Sequence, residues 1–373
     1  MKIEYAQNLT LLSEILNSFE KDKSVKTILI FTPNDITSTK LELEWLLKKI
    51  KKPIIGGIFP SIAFQNEIKD EGFLIKPLLF EMDIQIIDLD KPIEKQLDSF
   101  FIPVNPSKIN TIYTFVDAFG NNKSEYIYQL YNYLGNTVQY IGACAGNLSL
   151  SSIPCIIHNS GIHQNTAIIG LSNQNIEMGY SHGCKPISEP IKVTETKKNR
   201  IISLNWNPAF KEYQNILKQL VSIDVEEENF DKIKLNYSFG LAKLDSEMII
   251  REPYSQKNNE IYLFDEVNEG EYLYLMECTE ENLHQAVVNA SNYASINFHK
   301  NDLEDTDELF SVFCYARFKD YKKDLTNELN SISKINKMNV NGIITLGEIA
   351  NSGECFLEIY NKAIVLLSWK MKI

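Results

Sequence analysis

Ile28-Leu29-Ile30-Phe31, a helix near Leu41–Ile50 and then Pro53-Ile54-Ile55-Gly56-Gly57 form the stretch that decides the fold. It reads as an apolar strand, an amphipathic helix and a second apolar strand ending in glycines, followed by a further strand over Gly72–Phe80. The same order returns twice. The second copy runs Ile112–Val116, a helix near Tyr126–Leu134, Tyr140-Ile141-Gly142-Ala143-Cys144-Ala145-Gly146, then Thr166–Leu171. The third runs Phe310–Tyr315, a helix near Leu325–Ile335, Gly342-Ile343-Ile344-Thr345-Leu346-Gly347-Glu348-Ile349, then Phe356–Leu367. A glycine at the end of a buried strand lets backbone amides approach a ligand with no Cβ in the way. Its repetition in both halves of the chain predicts a binding crevice assembled from several strand ends.

Working outward, 373 residues exceed one ordinary core and predict two domains. A hydrophobic content of 44% places the chain among globular proteins. A net charge of -12 argues against a nucleic-acid partner, which would need a basic face, and against adhesion to anionic membranes. No apolar run reaches spanning length, so no membrane insertion is expected. The start, Met1-Lys2-Ile3-Glu4-Tyr5, carries no long apolar segment of the secretory kind, and the expected location is cytoplasmic. Cys144, Cys155, Cys184, Cys278, Cys314 and Cys355 form no C-x-x-C pair and are expected as free thiols. Neither a cofactor nor a metal is called for: the chain has no Walker lysine, dinucleotide or zinc-protease motif.

Strands are expected over Ile84–Leu89, Ile176–Ser181, Ile191–Thr196, Ile201–Leu204, Met248–Arg251, Ile261–Phe264 and Tyr272–Met276. Helices are expected after Asn8, after Pro208 and near Leu283–Tyr293. Strands therefore outnumber what strict alternation with helices requires. The fold class is α/β in the broad sense (α+β), with mixed sheets flanked by helices. The acidic run Asp224-Val225-Glu226-Glu227-Glu228-Asn229 is the best boundary between a domain of residues 1–222 and one of 223–373.

These segments resemble the FIST sensory family, in which an N-terminal and a C-terminal FIST domain stand in tandem. The resemblance rests on Phe313-Cys314-Tyr315-Ala316-Arg317, the turn from Gly342 to Ile349 with its Gly347-Glu348-Ile349, and Asn361 near the end. Tyr180-Ser181-His182-Gly183-Cys184-Lys185-Pro186, Ile250-Arg251 and Val267-Asn268-Glu269-Gly270 add to it. It implies a role in signal transduction and binding of a small polar metabolite such as an amino acid. With no output segment after the last strand, the expectation is of a separate output protein as partner. The first turn departs from the pattern, with Gly56-Gly57-Ile58-Phe59-Pro60 where a Gly-Glu pair would stand.

The candidate ligand-binding residues follow. Arg317 either clamps a ligand carboxylate or makes a structural ion pair, Glu348 being one candidate partner. Glu348, after Gly347, either accepts a ligand ammonium or caps local amides. His182 is a hydrogen-bond donor to a ligand or a satisfied core residue. Gly142 and Gly146 mark an amide-rich turn or tight packing, and Gly56 is their counterpart in the first copy. Arg251 and Asn361 complete the set. Cys144 has no positioned base in the sequence and reads as a buried thiol. The competing reading is an enzyme of unassigned chemistry working in the same crevice.

Overall fold

The structure, a computed structural model, describes residues 2–33, 39–149, 151–242, 247–296, 309–318, 321–351 and 356–369. Cys355 lies outside the described residues. The three copies form three six-stranded sheets of one plan. In the first, Thr27–Pro33 lies parallel to Ile54–Phe59 and antiparallel to Phe73–Leu78. In the second, Thr111–Asp117 has the same relation to Gln139–Ala145 and Thr166–Ser172. In the third, Leu309–Cys314 has it to Val340–Thr345 and Ile364–Ser368. Parallel neighbours cannot be joined by a hairpin. Helices Lys40–Lys49, Lys123–Leu134 and Tyr321–Asn336 make the three crossovers.

Each copy then lends a strand to the next sheet. Ser61–Phe64 leaves the first copy and pairs with Val340–Thr345 of the third. Ile156–His158 leaves the second and pairs with Ile54–Phe59 of the first. Glu348–Asn351 leaves the third and pairs with Gln139–Ala145 of the second. The exchange closes a ring, so no copy completes its own sheet. The three sheets share one core, in which the Phe31 ring lies 5.4 Å from Phe115 and 5.5 Å from Phe310.

The glycines read as turn residues stand inside these strands. Gly56, Gly142 and Gly342 pair with Ile30, Thr114 and Ser311 of the parallel neighbour, and with Ile157, Ile349 and Ala63 of the lent strand. A Cβ at the three would lie 1.8, 1.6 and 2.1 Å from the carbonyl oxygens of Ile30, Thr114 and Ser311. The missing side chain therefore allows a close approach of backbone to backbone.

A fourth, nine-stranded sheet combines Ile191–Lys197 and Arg200–Leu204 with Tyr237–Leu241, Glu260–Leu263 and Tyr272–Glu277. It thus draws strands from both sides of residue 222. The acidic run between them is not wholly solvated: Val225 is buried, and Phe230 packs its ring edge-on to Phe210 and Tyr213.

Three further differences from the sequence reading have local causes. Helix Ile93–Phe101 was not foreseen; it buries Ile93, Leu97 and Phe101. The single strand expected over Phe356–Leu367 is two strands, Ile359–Tyr360 and Ile364–Ser368, separated by a turn in which Lys362 has φ +56°. The cysteines are not all free: Cys184 and Cys278, 94 residues apart, are joined by a disulfide, because the pairing of Lys185–Pro186 with Tyr272–Glu277 brings them together. Cys144, Cys155 and Cys314 are free and buried. Among the described residues, no helix is long and apolar enough to cross a membrane.

Candidate functional site

Four of the predicted residues meet at the turn that links Ile359–Tyr360 to Ile364–Ser368. Glu348 accepts from the backbone N–H of Ala363 at 3.1 Å, and Arg317 donates from Nη1 to the carbonyl of Lys362 at 2.5 Å. Arg251 donates from Nη1 to the carbonyl of Ile359 at 3.1 Å. Asn361 donates from Nδ2 to Asp265 Oδ2 at 2.6 Å. The sequence reading missed Lys362 itself. It is fully buried, and its ammonium lies 2.6 Å from the carbonyl of Leu235 and 3.3 Å from Glu252 Oε1. A lysine between an asparagine and an alanine carries no local sign of burial.

Arg317 follows Leu309–Cys314 in a short 3-10 turn that directs it inward. Its guanidinium faces Glu328 of helix Tyr321–Asn336, with Nη2 at 2.6 Å from Oε1 and Nε at 3.3 Å from Oε2. A further bond runs from Nη2 to the carbonyl of Leu283 at 3.0 Å. The ion-pair alternative thus has a partner, and it is Glu328 rather than Glu348. Glu348 is fully buried beside the Cys314 thiol, and its Oε1 accepts no hydrogen bond. Burial pushes its carboxyl well above the usual range, against the opposing influence of Cys314, Arg317 and the Ala363 amide. That favours the neutral acid. Burial likewise lowers His182, with Glu247 opposing. Its Nδ1 accepts from Cys184 N at 2.9 Å, so the proton of the neutral ring sits on Nε2, 3.8 Å from Glu247 Oε2. Cys314, Arg317, Glu348 and His182 are each 3% exposed or less, which shuts this end of the network away from solvent.

The other end is open. A cleft of about 940 Å³ is lined by Arg251, Asp265, Glu266, Glu271 and Glu358 together with Ser124, Glu125, Tyr128 and Tyr131. Arg251 lies at the end of Ile249–Arg251 and pairs through Nη2 with Glu358 Oε2 at 3.0 Å. Asp265 joins cleft to turn, since its Oδ1 lies 2.8 Å from Lys123 Nζ while its Oδ2 holds Asn361. Burial alone would raise Asp265; Lys123 and Arg251 outweigh it and hold the carboxyl below its usual range. Among the nine predicted residues Arg251 alone lines this cleft, and Asn361 reaches it through Asp265.

The predicted glycines stand elsewhere. Gly347 abuts Ile359 and Cys144, where a Cβ would lie 2.7 Å from Ile359 Cγ2. Gly146, with φ +145°, faces the Leu346 side chain, and Gly56 belongs to the sheet of the first copy. Among the described residues, no group of three or more His, Cys, Asp or Glu is placed to hold a metal ion.

With this geometry in view, comparison with known proteins gives a family. The chain matches the FIST N domain over residues 27–207 and the FIST C domain over 209–351, and it belongs to the FIST family. FIST domains are sensory domains associated with signalling. No curated protein matches the chain.

Proposed function

We propose that this protein binds a small polar metabolite of amino-acid type in the cleft beside Arg251 and passes the event to a separate output protein. The observation that carries the reading is that both FIST domains wall the cleft. Ser124, Tyr128 and Tyr131 come from the FIST N match, Arg251 and Asp265 from the FIST C match. A ligand touching both walls has a different affinity for each relative placement of them, and only such a difference can shift an equilibrium. About 940 Å³ is ample for an amino acid, within the ordinary range of small-molecule sites. A ligand carboxylate would take the place of Glu358 on the Arg251 guanidinium, and Glu266 or Glu271 would receive its ammonium.

A thermal-shift screen with the twenty amino acids and common polar metabolites tests this. A ligand at a hundred times its dissociation constant stabilises the fold by about 2.7 kcal/mol. Glu358→Gln, which releases Arg251 from its carboxylate, is expected to tighten binding. Arg251→Gln is expected to abolish it. The reading fails if no compound shifts the transition, or if a shift survives in Arg251→Gln.

A further inference from the structure

We propose that Cys184–Cys278 is a redox-modification site, a thiol–disulfide latch that holds helix Glu280–Ile296 against strand Glu177–Ser181. The latch is independent of what occupies the cleft. The bond joins the FIST N match to the FIST C match, and its second cysteine lies two residues before the helix begins. The helix sits unusually close to the strand. A Cβ at Gly179 would lie 2.3 Å from the carbonyl oxygen of Ala290, and one at Gly183 would lie 2.1 Å from that of Asn282. The buried helix face is built from Leu283, Ala286, Val287, Ala290, Ser291 and Ala294. Apart from Leu283 and Val287 these side chains are small and remove little apolar area from water, so contact depends largely on holding the backbones in register. A covalent tie at the start of the helix maintains that register.

Both sides of the latch continue into the buried end of the site. On the helix side, Leu283 accepts the Arg317 guanidinium through its carbonyl. On the strand side, the amide of Cys184 donates to His182 Nδ1, while Ser181 Oγ and the His182 amide bond to Glu247. Cys184 is 6% exposed beside exposed Lys185, whereas Cys278 is fully buried. Attack by an incoming thiolate therefore falls on Cys184 Sγ. The S–S bond breaks, Cys278 leaves and takes a proton, and the second thiol of a dithiol reductant then displaces Cys184. Two electrons and two protons pass to the pair, and the reductant leaves as its own disulfide. Cys144, Cys155 and Cys314 are buried thiols whose titration burial pushes up, so they remain inert in the same exchange.

The test uses the full chain purified without reductant. Mass mapping of a non-reduced digest is expected to show the 184–278 crosslinked peptide. Hydrogen exchange is then compared before and after dithiothreitol. Reduction is expected to speed amide exchange at least tenfold in residues 280–294, with strand Thr111–Asp117 unchanged. A Cys184→Ser, Cys278→Ser variant is expected to match the reduced protein and to ignore dithiothreitol; if it does not fold, the wild-type titration decides. Absence of the crosslinked peptide overturns the proposal. So does unchanged exchange on reduction, or acceleration that spreads equally through Thr111–Asp117, which is the mark of a bond supporting the whole fold.

Discussion

Arg317 and Glu328 form a two-point contact inside the protein, with Nη2 2.6 Å from Oε1 and Nε 3.3 Å from Oε2. The carbonyls of Leu283 and Lys362 take further donors of the same guanidinium. One side chain thereby ties helix Tyr321–Asn336, helix Glu280–Ile296 and the turn at Lys362. The planar fork suits this arrangement, which a lysine cannot reproduce. Arg317→Ala leaves a carboxylate and two carbonyls without their donor and is expected to cost about 3–5 kcal/mol. Arg317→Lys recovers only a fraction of that. Urea denaturation of the two variants beside wild type measures both.

The glycines inside the strands make a second expectation. Gly142→Ala places a methyl group 1.6 Å from the Thr114 carbonyl and has to push neighbouring strands apart at the centre of a sheet. Gly135 is the control: it has φ +56° but nothing within 4 Å of a Cβ. With ψ −136° beside that φ, Gly135 stands in a region nearly confined to glycine, and Gly135→Ala should cost about 1–3 kcal/mol from backbone conformation alone. Gly142→Ala should fail to give soluble folded protein or should lower its melting temperature far more. Equal effects would mean that the close approach does not matter.

The neutral Glu348 acid produces a pH dependence of definite sign. Its folded pKa is raised, so the folded state keeps a proton that the unfolded state releases above about pH 4.5. Stability from this group therefore falls as pH rises from that value toward the folded pKa. Glu348→Gln removes the titration. Its stability relative to wild type should improve as pH rises above about 4.5 and level off once pH passes the folded pKa, by denaturant melts at each pH from about 5 upward. A flat difference would show that Glu348 ionises normally.

The shared aromatic core sets a third magnitude. Phe31 touches aromatic rings of all three sheets, and Phe31→Ala is expected to cost about 3–5 kcal/mol through lost burial and the cavity left behind. Trp206 is 76% exposed, and Trp206→Ala should stay within about 0.5 kcal/mol. Chemical denaturation of the pair gives the contrast.

Much of this was readable along the chain. Each copy is written locally, since an apolar run, a helical stripe and a second apolar run follow one another within about fifty residues. The tandem FIST domains were legible in the segment Tyr180–Pro186 and in Arg317 and Glu348, all within the matched residues. What escaped was set by partners far away in sequence. Ser61–Phe64 was not foreseen as a strand; it pairs with Glu67–Lys69 on one side and on the other with Val340–Thr345, beyond the second copy. The mates of Cys184 and Lys362 are remote too, 94 and 127 residues away. Glu328 is near Arg317 in sequence but is one of two acids on a helix that looks exposed. The cleft, too, forms where the two FIST domains meet, so only Arg251 among the predicted residues lines it. Gly56 and Gly142 were recognised but misplaced: a glycine that ends a strand and one that admits a neighbouring carbonyl look alike in one dimension.

The ring of lent strands bears on how the chain is made. As it emerges from the ribosome, the first sheet lacks Ile156–His158 until the second copy has been synthesised, and the second lacks Glu348–Asn351 until the third copy is nearly made. Each waits with a naked edge, the second for longest, and the strand Glu348–Asn351 closes the ring. Truncation anywhere short of residue 351 should thus leave a sticky, protease-sensitive product rather than a smaller working one.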